Sequence, residues 1–144
     1  MKLTSPAFEN GEEIPAKYTC NGEDVSPPLT FSDISAEAKS LVLILDDPDA
    51  PAGVWDHWII YDMPPDTREV PEAAEPCGVQ GRGTSGSLGY QGPCPPDGEH
   101  RYFFKLYALG TVLRLPAGAT KADVERAMEG HILEQAELMG RYAQ

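Results

Sequence analysis

Three short clusters hold the side chains with usable chemistry: Asp47 with Asp49, Trp55 with His57, and His100 with Tyr102. A carboxylate accepts hydrogen bonds from a protonated phosphate or an ammonium, and an imidazole or a phenol can donate to an anionic oxygen. If the segments carrying these groups are neighbours, two imidazoles, a carboxylate and a phenol converge. Trp55 and Pro93 would then supply apolar walls that exclude water and strengthen each polar contact. The result is the outline of a small anion pocket. Arg101 is expected to pair with an acid at its base, with Asp49 the candidate.

Plainer roles stand beside these. Asp49 lies in Asp-Pro-Asp-Ala-Pro, where an aspartate commonly closes a turn. His57 precedes Trp58 and would also serve as a satisfied core histidine. His131 falls on an apolar stripe without a chemical neighbour and is read as structural. Two histidines and an aspartate also suit a metal, but their spacing is not diagnostic, and no metal or other cofactor is expected. A thiol enzyme built on Cys94 and His100 is disfavoured, because Cys94 sits between two prolines with no helix N-terminus to lower its pKa.

The elements that must position these groups are legible as apolar runs. Leu41–Leu45 and Trp58–Tyr61 are short, apolar and bounded by Asp and Pro, the pattern of strands buried on both faces. The first two clusters lie on the polar connection between them. The loop Tyr90–Gly98 carries three prolines, which fix φ and hold one shape. It leads into a third core strand in which Tyr102, Phe104 and Leu106 share a face. Thr111–Leu115 reads as a further short strand, and Ile14–Tyr18 as an edge pairing. Residues 66–99 form a long connection; its Gly-rich part, Gln80–Gly89, lacks the Lys-Ser/Thr ending and following helix of a Walker motif and reads as a flexible loop. A long C-terminal helix is expected from Thr120 as N-cap to Gly140 as C′, with Val124, Met128, Ile132 and Met139 on its buried stripe.

The chain has 144 residues, 11 Lys plus Arg against 23 Asp plus Glu, and a formal net charge of −12. Such a surface offers nucleic acid and anionic lipid no general attraction. The 14 Gly and 14 Pro point to a turn-rich, mostly β protein, and the length fits a single domain over residues 1–144. No leader-like apolar stretch follows Met1-Lys2, and no run approaches the ~18 residues of a membrane span, so a cytoplasmic protein without membrane insertion is expected. Cys20, Cys77 and Cys94 show no CxxC spacing; one disulfide is open to them, but reduced thiols are the expectation for a cytosol.

Taken together, DPDAP, WDHWIIYDMP and GYQGPCPPDGEHRYFFKLYAL resemble the phosphatidylethanolamine-binding protein (PEBP) family, most closely its shorter bacterial and archaeal, Raf-kinase-inhibitor-like branch. KYTCNGEDVSPPLTF near the start and KADVERAMEGHILEQAELMGRY at the end extend the likeness over nearly the whole chain. The resemblance implies a PEBP-like β-sandwich with a central antiparallel sheet, a smaller second sheet and a C-terminal α-helix. It implies an anion pocket near one sheet end, in which the family's ligand-binding positions fall on Asp47, Trp55, His57, Gly92, Pro93, His100 and Tyr102. Asp56 stands where several relatives carry another residue. A cis peptide is implied at Ala50–Pro51, making Pro51 a structural support, with a second near Gly53–Val54. The likeness to prokaryotic relatives, several of them homodimeric, implies a homodimer here as well, a role the apolar stripe of the expected C-terminal helix would suit. The expected function is a non-enzymatic binding protein for a phosphate- or carboxylate-bearing ligand (a phospholipid headgroup, nucleotide or phosphorylated side chain), regulating a kinase or protease. Two alternatives stand: an inhibitor presenting the loop Gly92–Pro96 to a kinase or peptidase, and a hydrolase using His57 as base.

Overall fold

The computed structural model describes residues 1–144. In chain order the strands are β1 (Lys2–Thr4), β2 (Leu29–Ser32), β3 (Ser40–Asp47), β4 (Trp55–Met63), β5 (Glu69–Val70), β6 (Val79–Gln80) and β7 (His100–Leu109). Helix α1 (Lys121–Met128) and strand β8 (Ile132–Tyr142) complete the chain. A small antiparallel sheet runs β1-β2-β5, and a five-stranded antiparallel sheet runs β6-β4-β3-β7-β8. The protein is therefore mostly β, with two sheets and one helix.

All eight residues of β3 are buried, because the strand is central and covered on both faces. Leu41, Leu43 and Leu45 join Trp58, Phe104 and Leu106 in a core shared with Leu3, Leu29 and Phe31 of the small sheet. Val42 and Ile44 turn the other way and pack with Ile59, Tyr61 and the α1 residues Val124 and Met128. This period-two division explains why the run shows no polar alternation. It also decides the sides of the two acids at the end of β3. Asp47 continues the small-sheet face and Asp46 the helix face. There Asp46 Oδ2 lies 3.1 Å from Lys105 Nζ and 3.3 Å from Lys121 Nζ, and Lys121 also pairs with Asp56 at 2.8 Å.

Several sequence expectations are corrected. The C-terminal helix has only eight residues. Thr120 caps it as expected, accepting from the Asp123 amide in a capping box, but the chain leaves it at Glu129–Gly130, where Gly130 takes φ +80°. Residues beyond form the edge strand β8, in which Leu138, Gly140 and Tyr142 are buried at period two. His131 is exposed in the intervening turn. Gly140 is no helix terminus: a Cβ there would lie 2.4 Å from Ile14 Cγ1, so its lack of a side chain lets Ile14 pack over β8. The Ile14 amide donates to the Arg141 carbonyl (2.8 Å), whereas Ala16–Tyr18 form a 3₁₀ turn instead of extending the edge. Thr111–Leu115 is irregular. Its Leu113 and Arg114 amides donate to the Asp62 carboxylate, not to a neighbouring strand. No peptide bond is cis, including those preceding Pro51 and Val54. The Gly-rich segment folds back on itself, with an Arg82–Leu88 bridge and Thr84 tied to both main-chain groups of Asp56. No helix is long and apolar enough to cross a membrane.

Cys20 and Cys94 form a disulfide across 74 residues, leaving Cys77 as the exposed free thiol; the expectation of three reduced cysteines does not hold. Loop-closure entropy for a span of this length is worth about 4 kcal/mol. Urea unfolding of the Cys20→Ser/Cys94→Ser variant should show a loss of at least about 2 kcal/mol. An unchanged midpoint would mean that the link contributes nothing to stability.

Candidate functional site

The end of β3, the start of β4, the start of β7 and the proline-rich loop before it enclose a cavity of about 280 Å³. Its lining includes Asp47, Trp55, His57, Gly92, His100 and Tyr102, together with Pro51, Gln91, Cys94, Pro95 and Pro96. Six of the seven expected ligand-binding residues thus line one hollow. The seventh, Pro93, is buried behind it, where its carbonyl accepts from the Cys20 amide at 3.1 Å. The apolar walls are instead Trp55, Pro51, Pro95 and Pro96. Gln91, which the sequence reading passed over, carries two of the site's contacts.

A β-bulge brings His57 to this face. Leu45 pairs with Trp58 and Asp46 with Asp56, so His57 is the extra residue and alternation is interrupted there. Without the shift, His57 would join Asp46 on the helix side. With it, the His57 ring meets Tyr102 edge-on at 5.4 Å between centroids, and the His100 ring stacks beside Tyr102 at 6.4 Å.

Hydrogen bonds set the charge of each imidazole. His100 Nδ1 lies 2.7 Å from Asp47 Oδ2, and its Nε2 lies 3.2 Å from Asp97 Oδ1. Two carboxylates, acceptors only, require a proton on each nitrogen, which is the imidazolium. Burial alone would lower the pKa of His100, but the hydrogen bonds to Asp47 and Asp97 and their charges outweigh it and raise the pKa. His57 behaves oppositely. Its Nδ1 lies 2.7 Å from the Gln91 carbonyl, and burial lowers its pKa despite that bond and the charges of Asp47, Asp56 and Asp24. A neutral His57 therefore spends its one N–H on Gln91 and cannot donate to an anion, contrary to the simple expectation. Asp47 is likewise engaged within the protein. Its Oδ1 accepts from the Asp49 amide at 2.7 Å, and its Oδ2 is taken by His100.

Asp49 and Arg101 pair as expected: Asp49 accepts from the Arg101 amide, Nε and Nη2 at 2.8–2.9 Å. The Arg101 hydrogen bonds hold the Asp49 pKa down to about 2. It is thus Asp47, not Asp49, that closes the local turn. The lip rests on Gly92, whose amide donates to Asp24 Oδ1 at 2.9 Å; a Cβ there would sit 2.3 Å from the Tyr18 carbonyl oxygen. The disulfide anchors the same loop and removes the Cys94 thiol from any nucleophilic role.

These features describe a two-sheet β protein with an imidazole-lined cleft at one sheet end. The family model for phosphatidylethanolamine-binding protein matches residues 4–143, and the chain belongs to that family. It is 56% identical over 148 residues to a protein of Methanothermobacter thermautotrophicus, covering 99% of this chain and 98% of the relative. A Chlamydia muridarum protein is 54% identical over 149 residues, covering 100% and 99%. Among solved structures, a PEBP homologue from Chlamydia trachomatis superposes with TM-score 0.97 at 51% identity, covering 99% of this chain and 97% of that one. Escherichia coli YbcL gives 0.91 at 30%, covering 99% and 98%.

Two measurements check the site. In an NMR titration of the imidazole resonances, His57 should titrate below the ordinary value near 6.5 and His100 above it. Because the His100 pKa is raised on folding, its stabilising contribution is complete below about pH 6.5 and is lost as pH rises through the folded value. A His57 value above that of His100 would reverse the assignment. Gly92→Ala should displace the lip from Tyr18 and cost about 1–3 kcal/mol in thermal or urea unfolding. A neutral result would show that the lip yields without cost.

Proposed function

We propose that this protein is a non-enzymatic binding protein whose cleft takes a small oxyanion, a free phosphate or carboxylate or such a group on a larger ligand. The observation that carries this reading is the buried His100 imidazolium, wedged between Asp47 and Asp97 at the floor of an apolar-walled hollow. A cation held there acts at short range in a chain of net charge −12, whose overall field would repel an anion. Asp97 is the replaceable partner: it is 75% exposed, at the longer distance of 3.2 Å, and an incoming anion would take its place on Nε2. The cavity is at the small end of ligand pockets, suited to a headgroup and not to a whole drug-sized molecule. The name of the family points the same way, since a phosphatidylethanolamine headgroup carries a phosphate.

Loop presentation to a kinase or protease is the second reading. It is favoured by the exposed run Pro96–Glu99, held by the disulfide and by Gln144 Nε2 donating to the Pro95 carbonyl at 2.7 Å. Such inhibition would survive replacement of the cleft residues.

Calorimetric titration with inorganic phosphate should show saturable millimolar or tighter binding. His100→Gln, which removes the cation, should weaken it about tenfold or more, a loss of ~1.4 kcal/mol. Equal affinity in wild type and variant, or no binding to either, would overturn the anion reading.

A further inference from the structure

The lip of the cleft is held in two different ways along its length. Its first half, Tyr90 to Pro93, is hydrogen-bonded to both neighbours. The Gln91 amide donates to the His57 carbonyl at 3.1 Å, the Gly92 amide to Asp24 Oδ1 at 2.9 Å, and the Tyr90 hydroxyl to the Tyr18 carbonyl at 2.7 Å. The Pro93 carbonyl, accepting from the Cys20 amide at 3.1 Å, closes that series. The second half lacks such ties. Pro95 and Pro96 have no amide hydrogen to give, and the amides of Cys94, Asp97, Gly98 and Glu99 donate to nothing in the protein. Three side-chain contacts remain, each involving an exposed residue. Gln144 Nε2 donates to the Pro95 carbonyl at 2.7 Å, Asp97 Oδ1 lies 3.2 Å from His100 Nε2, and Glu99 pairs with Arg141 at 2.9 Å. What fixes this half is therefore the bond from Cys94 to Cys20.

Cys94, Pro95 and Pro96 all line the cavity, so the wall they form stands on that bond. Both Cys20 and Cys94 are exposed, within reach of a thiolate from solvent. Exposed disulfides are the labile and regulatory ones. We propose that the Cys20–Cys94 disulfide is a thiol-exchange site for a dithiol reductant, and that opening it slackens the proline wall of the cleft. One thiolate of the reductant attacks a protein sulfur, the S–S bond breaks, and the other protein sulfur leaves as a thiolate. The second thiolate of the reductant then attacks the mixed disulfide and releases the first protein sulfur. The reductant departs as a disulfide. Two electrons have passed to the protein, and the two protons lost by the reductant end on Cys20 and Cys94.

The opened form keeps the hydrogen bonds of residues 90–93 and the buried Asp47–His100 pair, so the two sheets persist while the wall moves. Cys77, the exposed free thiol, is outside the cavity lining and takes no part. The cleft is thus tight in an oxidising compartment and slack in a reducing one. A disulfide that pre-shapes a loop spares a ligand the cost of ordering it, so the slack form binds more weakly. Only this last consequence rests on the anion reading above.

The test uses the Cys77→Ser protein, in which every thiol that appears comes from the disulfide. Dithiothreitol without denaturant should reduce it at a rate proportional to reagent concentration, with the amide spectrum of β3, β4 and β7 unchanged. A rate that levels off at the rate of global unfolding overturns the exchange site. The wall is read without any ligand, by 15N relaxation of the reduced protein and of Cys20→Ser/Cys94→Ser. Order parameters of Asp97, Gly98 and Glu99 should fall from about 0.85 to below about 0.6, while Gln91 and Gly92 stay rigid. Calorimetric titration with inorganic phosphate should show about tenfold weaker binding to the reduced form. Unchanged order parameters, or equal phosphate affinity in the two forms, overturn the slackened wall and leave the anion reading standing. If phosphate binds neither form at ~10 mM, the anion reading falls and the order parameters alone decide this inference.

Discussion

The buried hydrogen bond between Asp47 and His100 is the constraint from which the rest of the cleft follows. Neither side chain is more than about a twentieth exposed, so each would be a costly orphan without the other. The pair ties the end of β3 to the start of β7 at the floor of the hollow. The Asp49–Arg101 pair, with Asp49 in the turn two residues past the end of β3 and Arg101 one residue further along β7, clamps the same junction from the surface side. Surface pairs of that kind contribute about 1 kcal/mol or less, so its effect is to fix register more than to stabilise.

A single central strand ending in two acids serves two purposes because its faces alternate. Asp47 points to the cleft; Asp46 points to Lys105 and Lys121 and joins α1 to the sheet. Lys121 has its pKa raised: burial opposes this, but hydrogen bonds and charges from Asp56 and Asp46 prevail. The bulge at His57 is what keeps this division from being strict. It turns the imidazole to the cleft while its neighbour Asp56 stays on the helix side with Lys121. One residue of register shift thus separates a cleft-facing histidine from a structural ion pair.

Much of this was legible in the residues themselves. The apolar runs of β3, β4 and β7, the Asp49–Arg101 pair and the Thr120 cap are local or chemically self-declaring. The combination of Asp-Pro-Asp-Ala-Pro with the His57 strand and the proline loop was enough to single out six residues that line one cleft. What failed had physical causes. Val124, Met128 and Ile132 fit a helical period, yet the positive φ at Gly130 ends it, and Leu138, Gly140 and Tyr142 obey a period of two that the helical pattern concealed. The Cys20–Cys94 link joins residues that only the fold makes adjacent. The direction of the His57 N–H is dictated by a main-chain carbonyl at Gln91, a group with no signature in side-chain type. Pro93 was misplaced for a similar reason, since a proline's position in a motif does not reveal which side of the loop it faces.

The central claim is that Asp47 and His100 act as one buried unit. A double-mutant cycle measures this directly: urea unfolding at about pH 6 of the wild type, Asp47→Asn, His100→Gln and the double variant. Coupling of at least about 1.5 kcal/mol is expected, with the second substitution costing far less than it does alone. Additivity to within about 0.5 kcal/mol would show that the two residues stand independently and would contradict the account.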